Sequence, residues 1–467
     1  MNLSEQDIRV IIEDTIRNLK TRETSGREQQ WLCDTVEQAV ESAKASQQQL
    51  IMCSLAQRAK FIEAMRQASR ENARYLAELA HKETGYGNVE HKLLKNMLAV
   101  DKTPGIEDLP TEAVSGDYGL TLGECAPFGV IGAITPSTNP TSTVINNCIS
   151  MIAAGNAVVF NPHPAAKKAS TETMRILNEA IAAAGGPAAL ICTVKEPTLE
   201  SGKAIMEHPD IPLLAITGGE AVVHVAMKTG KKVIAAGPGN PPVIVDDTAI
   251  IDTAAKDIVD GASFDNNVLC IAEKEVFTFD GIADELMTCM VRYGAYRVSG
   301  EDIDKIVRTV FNNKDGKYVI NRNFVGKDAA YILRESGVSF DGKPRLVIAD
   351  VAETHPFVEV EMLMPVLGIV RVRHDICEAI AKAIKAENRC KHTAMMHSQN
   401  VSHLSMAAKA LNTTIFVKNA PSYAGLGFNG EGFTTLTIAT PTGEGLTSAR
   451  TFTRKRRCVL YGNFRIV

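Results

Sequence analysis

The sequence predicts an α/β protein with two open parallel-sheet units, and three observations lead to this prediction. The chain has 467 residues, which is too long for one ordinary hydrophobic core and favours two or three domains. From about residue 129 onward, short apolar runs typical of buried strands alternate with longer segments of helical periodicity. Polar or glycine-containing loops follow several of these runs, and parallel sheets bind their ligands beyond the carboxyl ends of the strands.

Composition excludes several classes of function. The chain is 45% hydrophobic and 22% charged, as in a globular protein, and its net charge of −4 argues against nucleic acid as the main partner. None of the ten cysteines forms a C-x-x-C pair, so neither a zinc ribbon nor a dithiol redox motif is supported, and we predict no metal-binding residues. We find no signal peptide and no apolar run of about 18 residues, which predicts a reducing cytoplasmic location without a membrane span.

The first 20 residues have the pattern of an amphipathic helix. Ile8, Ile12, Ile16 and Leu19 recur at helical spacing and form one apolar stripe. Residues 21–30 contain no hydrophobic side chain and are typical of a flexible linker. A tethered helix of this kind is suited to docking on a partner, although packing against its own domain stays open.

Helical spacing continues from Trp31 to about Lys102, and a hairpin is predicted at residues 113–126. The Gly-Asp-Tyr-Gly turn at 116–119 separates its two strands. Such a hairpin can pair with another subunit or stay within its own domain.

The α/β part begins with the strand Gly129–Ile134, after which a helix is expected from Thr141. Later strands are expected at 157–160, 190–194 and 213–217, with a helix from Lys167 to Ala184. We assign residues 31–234 to a first unit, residues 235–432 to a second unit and residues 433–467 to a tail that returns to a sheet edge or an interface. Gly237–Gly239 opens no predicted helix and is a weak dinucleotide fingerprint.

Cys270 lies in the second unit, within G-A-S-F-D-N-N-V-L-C (261–270). A small-residue turn and two asparagines lead to a cysteine between Leu269 and Ile271. A partly apolar pocket can present such a thiol as a nucleophile to a carbonyl carbon. The alternative is a buried free cysteine that acts only as a small hydrophobic residue.

These landmarks together resemble the aldehyde dehydrogenase superfamily, and within it the CoA-acylating enzymes of ethanolamine and propanediol utilisation in bacterial microcompartments. The motifs that carry the resemblance lie at 135–140, 154–164, 216–223, 235–242, 261–270, 392–398 and 439–452. The resemblance implies a cofactor domain, a catalytic domain and an oligomerisation element made from the hairpin and the tail, in a homodimer or homotetramer. It also implies that residues 1–20 bind shell or core proteins in the microcompartment lumen.

The resemblance assigns three catalytic residues. Cys270 matches the family nucleophile, which forms a thiohemiacetal with the aldehyde. The backbone N–H of Cys270 and the side chain of Asn139 would stabilise the oxyanion, although Thr138 occupies the nominal position of the family asparagine. His392 would assist deprotonation of the coenzyme A thiol, and a purely structural histidine is the alternative.

The resemblance also implies that NAD and coenzyme A are used in turn. Glu361 matches the glutamate that holds the nicotinamide ribose, and an exposed loop carboxylate is its alternative. His163 is expected at the adenosine end of either cofactor. The cofactor-binding residues are predicted to be Thr135, Pro136, Ser137, Thr138, Asn161, His163, Thr217, Gly218, Gly219, Gly237 and Glu361.

Two departures from the hydrolytic relatives indicate the reaction type. Ala235 stands where those enzymes carry the glutamate that activates water, and Asn161–Pro164 replaces their adenine-ribose lysine. Without that base, a stronger nucleophile than water must resolve the thioester, and the coenzyme A thiol fits this role. The expected function is therefore oxidation of acetaldehyde or propionaldehyde to the acyl-CoA. A hydrolytic aldehyde dehydrogenase and a non-catalytic scaffold remain alternatives.

Overall fold

The structure is a computed structural model that describes residues 31–314 and 316–466. The predicted helix of residues 1–20 and the predicted linker of residues 21–30 lie outside the described residues. The first strands are β1 (Leu32–Cys33), β2 (Glu112–Gly116), β3 (Gly119–Pro127), β4 (Val130–Thr135), β5 (Ala157–Pro162), β6 (Ile191–Val194), β7 (Leu213–Thr217) and β8 (Lys232–Ala236). The later strands are β9 (Pro242–Val245), β10 (Glu275–Phe279), β11 (Ala295–Val298), β12 (Phe311–Lys314), β13 (Lys317–Ile320), β14 (Leu346–Asp350), β15 (Val366–Val372), β16 (Thr393–His397), β17 (Ile415–Lys418), β18 (Ile438–Ala439), β19 (Gly445–Leu446) and β20 (Thr453–Tyr461).

The α-helices alternate with these strands through most of the chain. They are α1 (Val36–Leu50), α2 (Leu55–Glu71), α3 (Ala73–Thr84), α4 (Val89–Lys102), α5 (Pro140–Ala153), α6 (Lys167–Ala183), α7 (Leu199–Glu207), α8 (Glu220–Met227), α9 (Ile251–Ser263), α10 (Asp280–Arg292), α11 (Glu301–Val310), α12 (Ala329–Glu335), α13 (Pro356–Glu359), α14 (Ile376–Glu387) and α15 (Val401–Leu411). None of them is both long enough and apolar enough to cross a membrane, among the residues described.

A six-stranded parallel sheet forms the first unit, with strand order β1-β6-β5-β4-β7-β8. The chain proceeds from β4 to one side through β5 and β6, and then crosses to β7 and β8 on the other side. The order therefore reverses between β4 and β7, where Ile134 is paired with Ile216. This topological switch point is the position at which open α/β sheets bind their ligands. The loops after Thr135 and Thr217 meet there.

The helical pattern expected from Trp31 onward was wrong for the first residues. Leu32 and Cys33 form a short strand that pairs with Thr193 and Val194 of β6. The edge of β6 offers peptide groups that need partners, and a short extended segment satisfies them. The first helix then begins after Thr35, whose side chain accepts a hydrogen bond from the Gln38 N–H at 3.3 Å.

A seven-stranded parallel sheet forms the second unit, with strand order β11-β14-β15-β10-β9-β16-β17. Its first strand begins at Pro242, whereas β8 of the first sheet ends at Ala236, so the segment 237–241 connects the sheets. The predicted boundary after residue 234 therefore falls inside β8. The strands at the centre of this sheet are almost entirely buried, which explains why most of their residues are apolar.

The predicted hairpin forms from β2 and β3, and β20 of the tail adds as a third antiparallel strand. Another part of the tail returns to the first unit, because Phe452 is buried in the core of the six-stranded sheet. The backbone carbonyl of Phe452 also accepts a hydrogen bond from Asn156 Nδ2 at 3.0 Å. The tail therefore supplies both a strand to the hairpin and a side chain to the core.

Candidate active site

The segment that leads to Cys270 has an unusual backbone. After α9, the residues Asp265, Asn266 and Asn267 all adopt the left-handed conformation, with φ of 47°, 53° and 64°. Asp and Asn enter this region more readily than other non-glycine residues, but each still costs on the order of 1 kcal/mol. The turn persists only because the surroundings hold it in place, and such turns cluster at functional sites.

Buried cations hold this turn on both sides. Asp265 accepts hydrogen bonds from the ammonium groups of Lys92, at 3.1 Å, and Lys95, and from the Asn88 N–H at 2.9 Å. Burial alone would raise the pKa of Asp265, but the two ammonium groups keep it below its usual value. The buried Lys274 donates to the carbonyl oxygens of Asn267 at 3.0 Å and Leu269 at 3.3 Å. Sequence reasoning did not identify these lysines.

Cys270 is half-buried and electrostatically unfavourable for a thiolate. Burial, followed by the negative charge of Glu361, raises the pKa of the Cys270 thiol to about 12, and Lys274 and Lys95 act in the opposite direction. The thiol of the free protein is therefore protonated at neutral pH. A nucleophilic role requires a group that accepts its proton as the new bond forms.

Gly239 brings three predicted site residues together. A Cβ atom at this position would lie 2.7 Å from the carbonyl oxygen of Cys270 and 3.0 Å from Cγ of His392. The Gly239 backbone also lies beside the carboxylate of Glu361 and lowers its pKa, which burial raises. Only glycine allows this close approach of the backbone. Sequence analysis gave Gly239 no role, because the closeness arises from residues distant in the chain.

His392 is completely buried and holds one free ring nitrogen. Its Nδ1 lies 2.9 Å from Thr393 Oγ1, whereas Nε2 has no hydrogen-bond partner among the described residues. Burial, with a smaller contribution from Lys274, lowers the pKa of His392 to about 4. The imidazole is therefore neutral at physiological pH.

The Asn139 side chain points its oxygen toward Lys95. Asn139 Oδ1 accepts a hydrogen bond from Lys95 Nζ at 2.6 Å, and Asn139 Nδ2 donates to Thr138 Oγ1 at 3.2 Å. Lys95 also contacts Asp265 on the Cys270 segment. The predicted loop after β4 and the segment before Cys270 therefore meet at one buried ammonium group.

The loops of the switch point can accommodate a dinucleotide. A Cβ atom on Gly219 would meet no atom within 4 Å, and one on Gly218 would meet only Val222 at 3.9 Å, so the backbone is open to a ligand. Thr217 is fixed by a hydrogen bond of 3.0 Å between its hydroxyl and that of Thr437. The hydroxyl of Thr135, at the end of β4, is buried and has no partner among the described residues.

A cavity of about 400 Å³ lies beside this loop. Glu220 and Gly237 line one side of it, and the basic residues Arg389 and Lys391 line another. Two cations beside the half-buried Gly237 suit the phosphate groups of a nucleotide. The full lining is Glu220, Val223, Gly237, Pro238, Asn388, Arg389, Cys390, Lys391, Thr440 and Pro441.

The remaining predicted cofactor residues do not line this cavity. Asn161 is buried, and its amide bonds the carbonyl of Thr198 at 3.1 Å and the hydroxyl of Ser201 at 2.6 Å. These bonds occupy the side chain within the fold. The His163 side chain is exposed to solvent. Partial desolvation of its ring, followed by the positive charge of Arg322, lowers its pKa. Pro136, Ser137 and Thr138 are half-buried in the loop after β4.

Ala235 lies in a fully buried position of β8. Its N–H donates to Thr442 Oγ1 at 3.0 Å, which fixes the strand against the tail. The position therefore supplies neither a carboxylate nor space for an ordered side-chain base. Among the described residues, no group of three or more His, Cys, Asp or Glu side chains is arranged to hold a metal ion.

We expect the Cys270 thiol to alkylate slowly at neutral pH. Because its pKa is raised to about 12, the thiolate fraction should increase about tenfold from pH 7 to pH 8 and should keep rising to pH 10 without a plateau. The measurement is the rate of iodoacetamide labelling of the Cys270 peptide by mass spectrometry, with the exposed Cys377 as the internal reference. A plateau below pH 9 would show that the free protein already holds a thiolate.

Comparison with known proteins agrees with this geometry. The sequence profile of the aldehyde dehydrogenase family matches residues 14–432. The acetylating acetaldehyde dehydrogenase EutE of Escherichia coli is 47% identical over 470 residues, and the match covers 100% of both chains. A propionaldehyde dehydrogenase from the fucose-utilisation microcompartment of Clostridium phytofermentans superposes with a TM-score of 0.91 and 50% identity, over 94% of this chain and 100% of that chain.

A second solved relative shows the chemistry of its own site. The propionaldehyde dehydrogenase of Rhodopseudomonas palustris, solved with bound CoA and an acylated cysteine, has a TM-score of 0.90 and 47% identity. That match covers 93% of this chain and 99% of that chain. The family profile, the near-full-length relatives and the shared fold lead to one conclusion: the chain belongs to the aldehyde dehydrogenase family.

Proposed function

We propose that the protein oxidises a short-chain aldehyde, acetaldehyde or propionaldehyde, to the acyl-CoA through a thioester on Cys270. The observation that carries this proposal is the packing of the Cys270 backbone and the His392 ring against Gly239, with the Glu361 carboxylate beside the same residue. A nucleophile, a neutral imidazole and a carboxylate thus converge on one loop. Relatives of near-equal length are acetylating or CoA-propanoylating aldehyde dehydrogenases, which supports the same reaction.

The first step joins the Cys270 sulfur to the aldehyde carbon and gives a thiohemiacetal. The thiol proton is released to solvent as the carbon–sulfur bond forms, because a free thiolate is unfavourable in this environment, and it is the proton that the overall oxidation sets free. The Cys270 backbone N–H and Asn139 Nδ2 are the proposed donors to the oxyanion. NAD, when bound, would supply the hydride acceptor for oxidation of the thiohemiacetal to the thioester. Glu361 and the loop Thr217–Gly219 would hold the two ends of that cofactor.

The second step transfers the acyl group to the sulfur of coenzyme A. The CoA thiol loses its proton, its sulfur attacks the thioester carbon, and the Cys270 sulfur leaves and regains a proton. The proposed acceptor of the CoA proton is His392 Nε2, which is neutral and has no partner among the described residues; its pKa of about 4 makes it a weaker base than an ordinary histidine. Ala235 provides no base for water, which supports a thiol as the acceptor. Arg389 and Lys391 could pair with the phosphates of a bound nucleotide or of CoA.

The selectivity between acetaldehyde and propionaldehyde depends on the size of the aldehyde pocket. Acetaldehyde and propionaldehyde differ by one methylene, and a pocket discriminates one methylene by only about 1–3 kcal/mol. We therefore propose that the protein accepts both aldehydes, with a preference of at most about two orders of magnitude.

We further propose a homodimer or homotetramer inside a bacterial microcompartment. The three-stranded sheet of β2, β3 and β20 exposes large apolar side chains, among them Tyr118 at 80% and Tyr461 at 82% exposure. A second copy of the chain would cover such a surface. Residues 1–20 would bind a shell or core protein through their apolar stripe, and relatives from microcompartments support this location.

The first test is NADH formation with acetaldehyde or propionaldehyde, with and without coenzyme A. Turnover should require coenzyme A, and the Cys270→Ala variant should lose about 10⁴-fold or more, because the nucleophile is removed. Comparable turnover without coenzyme A would mean that water resolves the thioester despite Ala235. Absence of turnover under both conditions would favour another substrate or a scaffold.

The Gly239→Ala variant should lower kcat about 10- to 100-fold. The added methyl group would lie 2.7 Å from a backbone oxygen, so Cys270 and His392 must move apart by a fraction of an ångström or more. Gly281→Ala is the matched control, because a Cβ atom there meets nothing within 4 Å. The measurement is kcat of both variants from steady-state kinetics, and thermal melting checks that both are folded. Wild-type kcat in Gly239→Ala would contradict the proposed packing.

Deletion of residues 1–20 tests the proposed location. The shortened protein should keep its specific activity and lose co-purification with microcompartment shells. The control is a variant that keeps these residues but replaces Ile12 and Ile16 with Glu, which should lose the same association. Loss of activity in the shortened protein would instead make the segment part of the catalytic fold.

A further inference from the structure

We propose that Lys95 is the positioning residue for Asn139, holding the amide so that its nitrogen faces the reacting carbonyl. The proposal rests on the proposed function, because it concerns the oxyanion formed on Cys270. It adds a residue that acts through Asn139 and does not itself touch the substrate.

The hydrogen bonds of Lys95 select one orientation of the amide. An ammonium group only donates, so Lys95 Nζ, at 2.6 Å from Asn139 Oδ1, must face the amide oxygen. The nitrogen then lies on the opposite side of the amide, where one N–H donates to Thr138 Oγ1 at 3.2 Å. The other N–H is available to the oxygen of a bound carbonyl. Without the lysine, a rotation of 180° would present the amide oxygen to the developing oxyanion and repel it.

The same ammonium group joins Asn139 to the Cys270 segment. Its second contact is Asp265 Oδ2, five residues before Cys270. Asp265 is 0% exposed and Lys95 only 4%, so this contact is not weakened by solvent. A single side chain thereby bridges the loop that carries the proposed oxyanion donor and the segment that carries the nucleophile.

The group formed by Lys92, Lys95 and Asp265 contains one positive charge more than is needed to neutralise its carboxylate. Lys92 Nζ already pairs with Asp265 Oδ2 at 3.1 Å and is only 2% exposed. One ammonium group balances one carboxylate, and a second buried ammonium group adds a desolvation cost. His91, on the same helix, accepts from the Asp265 N–H at 2.8 Å through Nδ1, and burial lowers its pKa, so it adds no charge. The surplus positive charge of Lys95 faces Asn139 and Cys270, where the reaction develops negative charge.

The ionisation of Lys95 is sensitive to these neighbours. Burial lowers its pKa to about 8, Asp265 and Cys270 act to raise it, and Lys92 acts to lower it further. The ammonium form, which fits the hydrogen bonds described, is therefore lost as the pH rises above about 8. The charge of Lys95 should therefore change between about pH 7 and pH 9, a range in which enzyme activity is commonly measured.

A double-mutant cycle tests the proposal on the full-length enzyme. Asn139→Ala should lower kcat about 100-fold or more, as expected for removal of an oxyanion donor. Lys95→Met should lower kcat about 10-fold or more, with KM for CoA within about threefold of wild type. The double variant should match Asn139→Ala within about threefold, because Lys95 has no effect without the amide. Losses that multiply would overturn the proposal.

Lys92→Met is the matched control. It removes an equally buried ammonium group from the same helix and the same carboxylate, but it has no hydrogen bond to Asn139. Its effect should multiply with that of Asn139→Ala. If Lys95→Met does not fold, Lys95→Gln replaces it, since glutamine is neutral and still donates to Asp265. Multiplicative losses in that cycle overturn the proposal equally.

Alkylation of Cys270 supplies a readout that does not depend on turnover. Loss of the Lys95 charge should slow iodoacetamide labelling of Cys270 at least threefold at pH 7.5, and Lys92→Met should slow it less. Equal labelling of the wild type and Lys95→Met would overturn the electrostatic part of the proposal. If the wild type itself forms no NADH, the proposed function has failed, and the labelling rates alone then decide the role of Lys95.

Discussion

The candidate site depends on one buried interaction, in which the carboxylate of Asp265 pairs with the ammonium groups of Lys92 and Lys95. It draws two lysines of α4 toward the segment that follows α9, and so joins an element that packs on the first sheet to one that belongs to the second. A buried charge that loses its partner is strongly destabilising, so neither side can move away. The left-handed turn at 265–267, which no residue there adopts by preference, is the geometric result. The position of Cys270 follows from that turn.

Sequence patterns predicted the parts of the fold that local chemistry determines. The strand runs at β4, β5 and β7 and the loops after Thr135 and Thr217 follow from apolar periodicity and turn residues, which act over a few positions. The hairpin at 113–126 was predicted for the same reason. Cys270 was found because an uncommon residue combination precedes it. Its chemical role came from the resemblance to a family and not from spacing alone.

Long-range contacts set the parts that the sequence could not predict. Lys92 and Lys95 have the sequence character of solvated helix residues, and their burial depends on Asp265, which is 173 and 170 positions away. The close approach at Gly239 exists only because His392 and Cys270 come from other elements. The short strand at Leu32–Cys33 likewise depends on an edge offered by β6. Each of these features becomes visible only when distant segments are placed together.

The pairing of β3 with β20 has a consequence for the timing of synthesis. Arg454 in β20 hydrogen-bonds Pro127 at the end of β3, 327 positions earlier in the chain. At about 5–20 residues per second, a ribosome needs roughly 15–65 s to make the intervening segment. During that interval one edge of β3 has no strand partner, a condition that invites pairing with other chains. Completion of this sheet is therefore among the last events in the biogenesis of the protein.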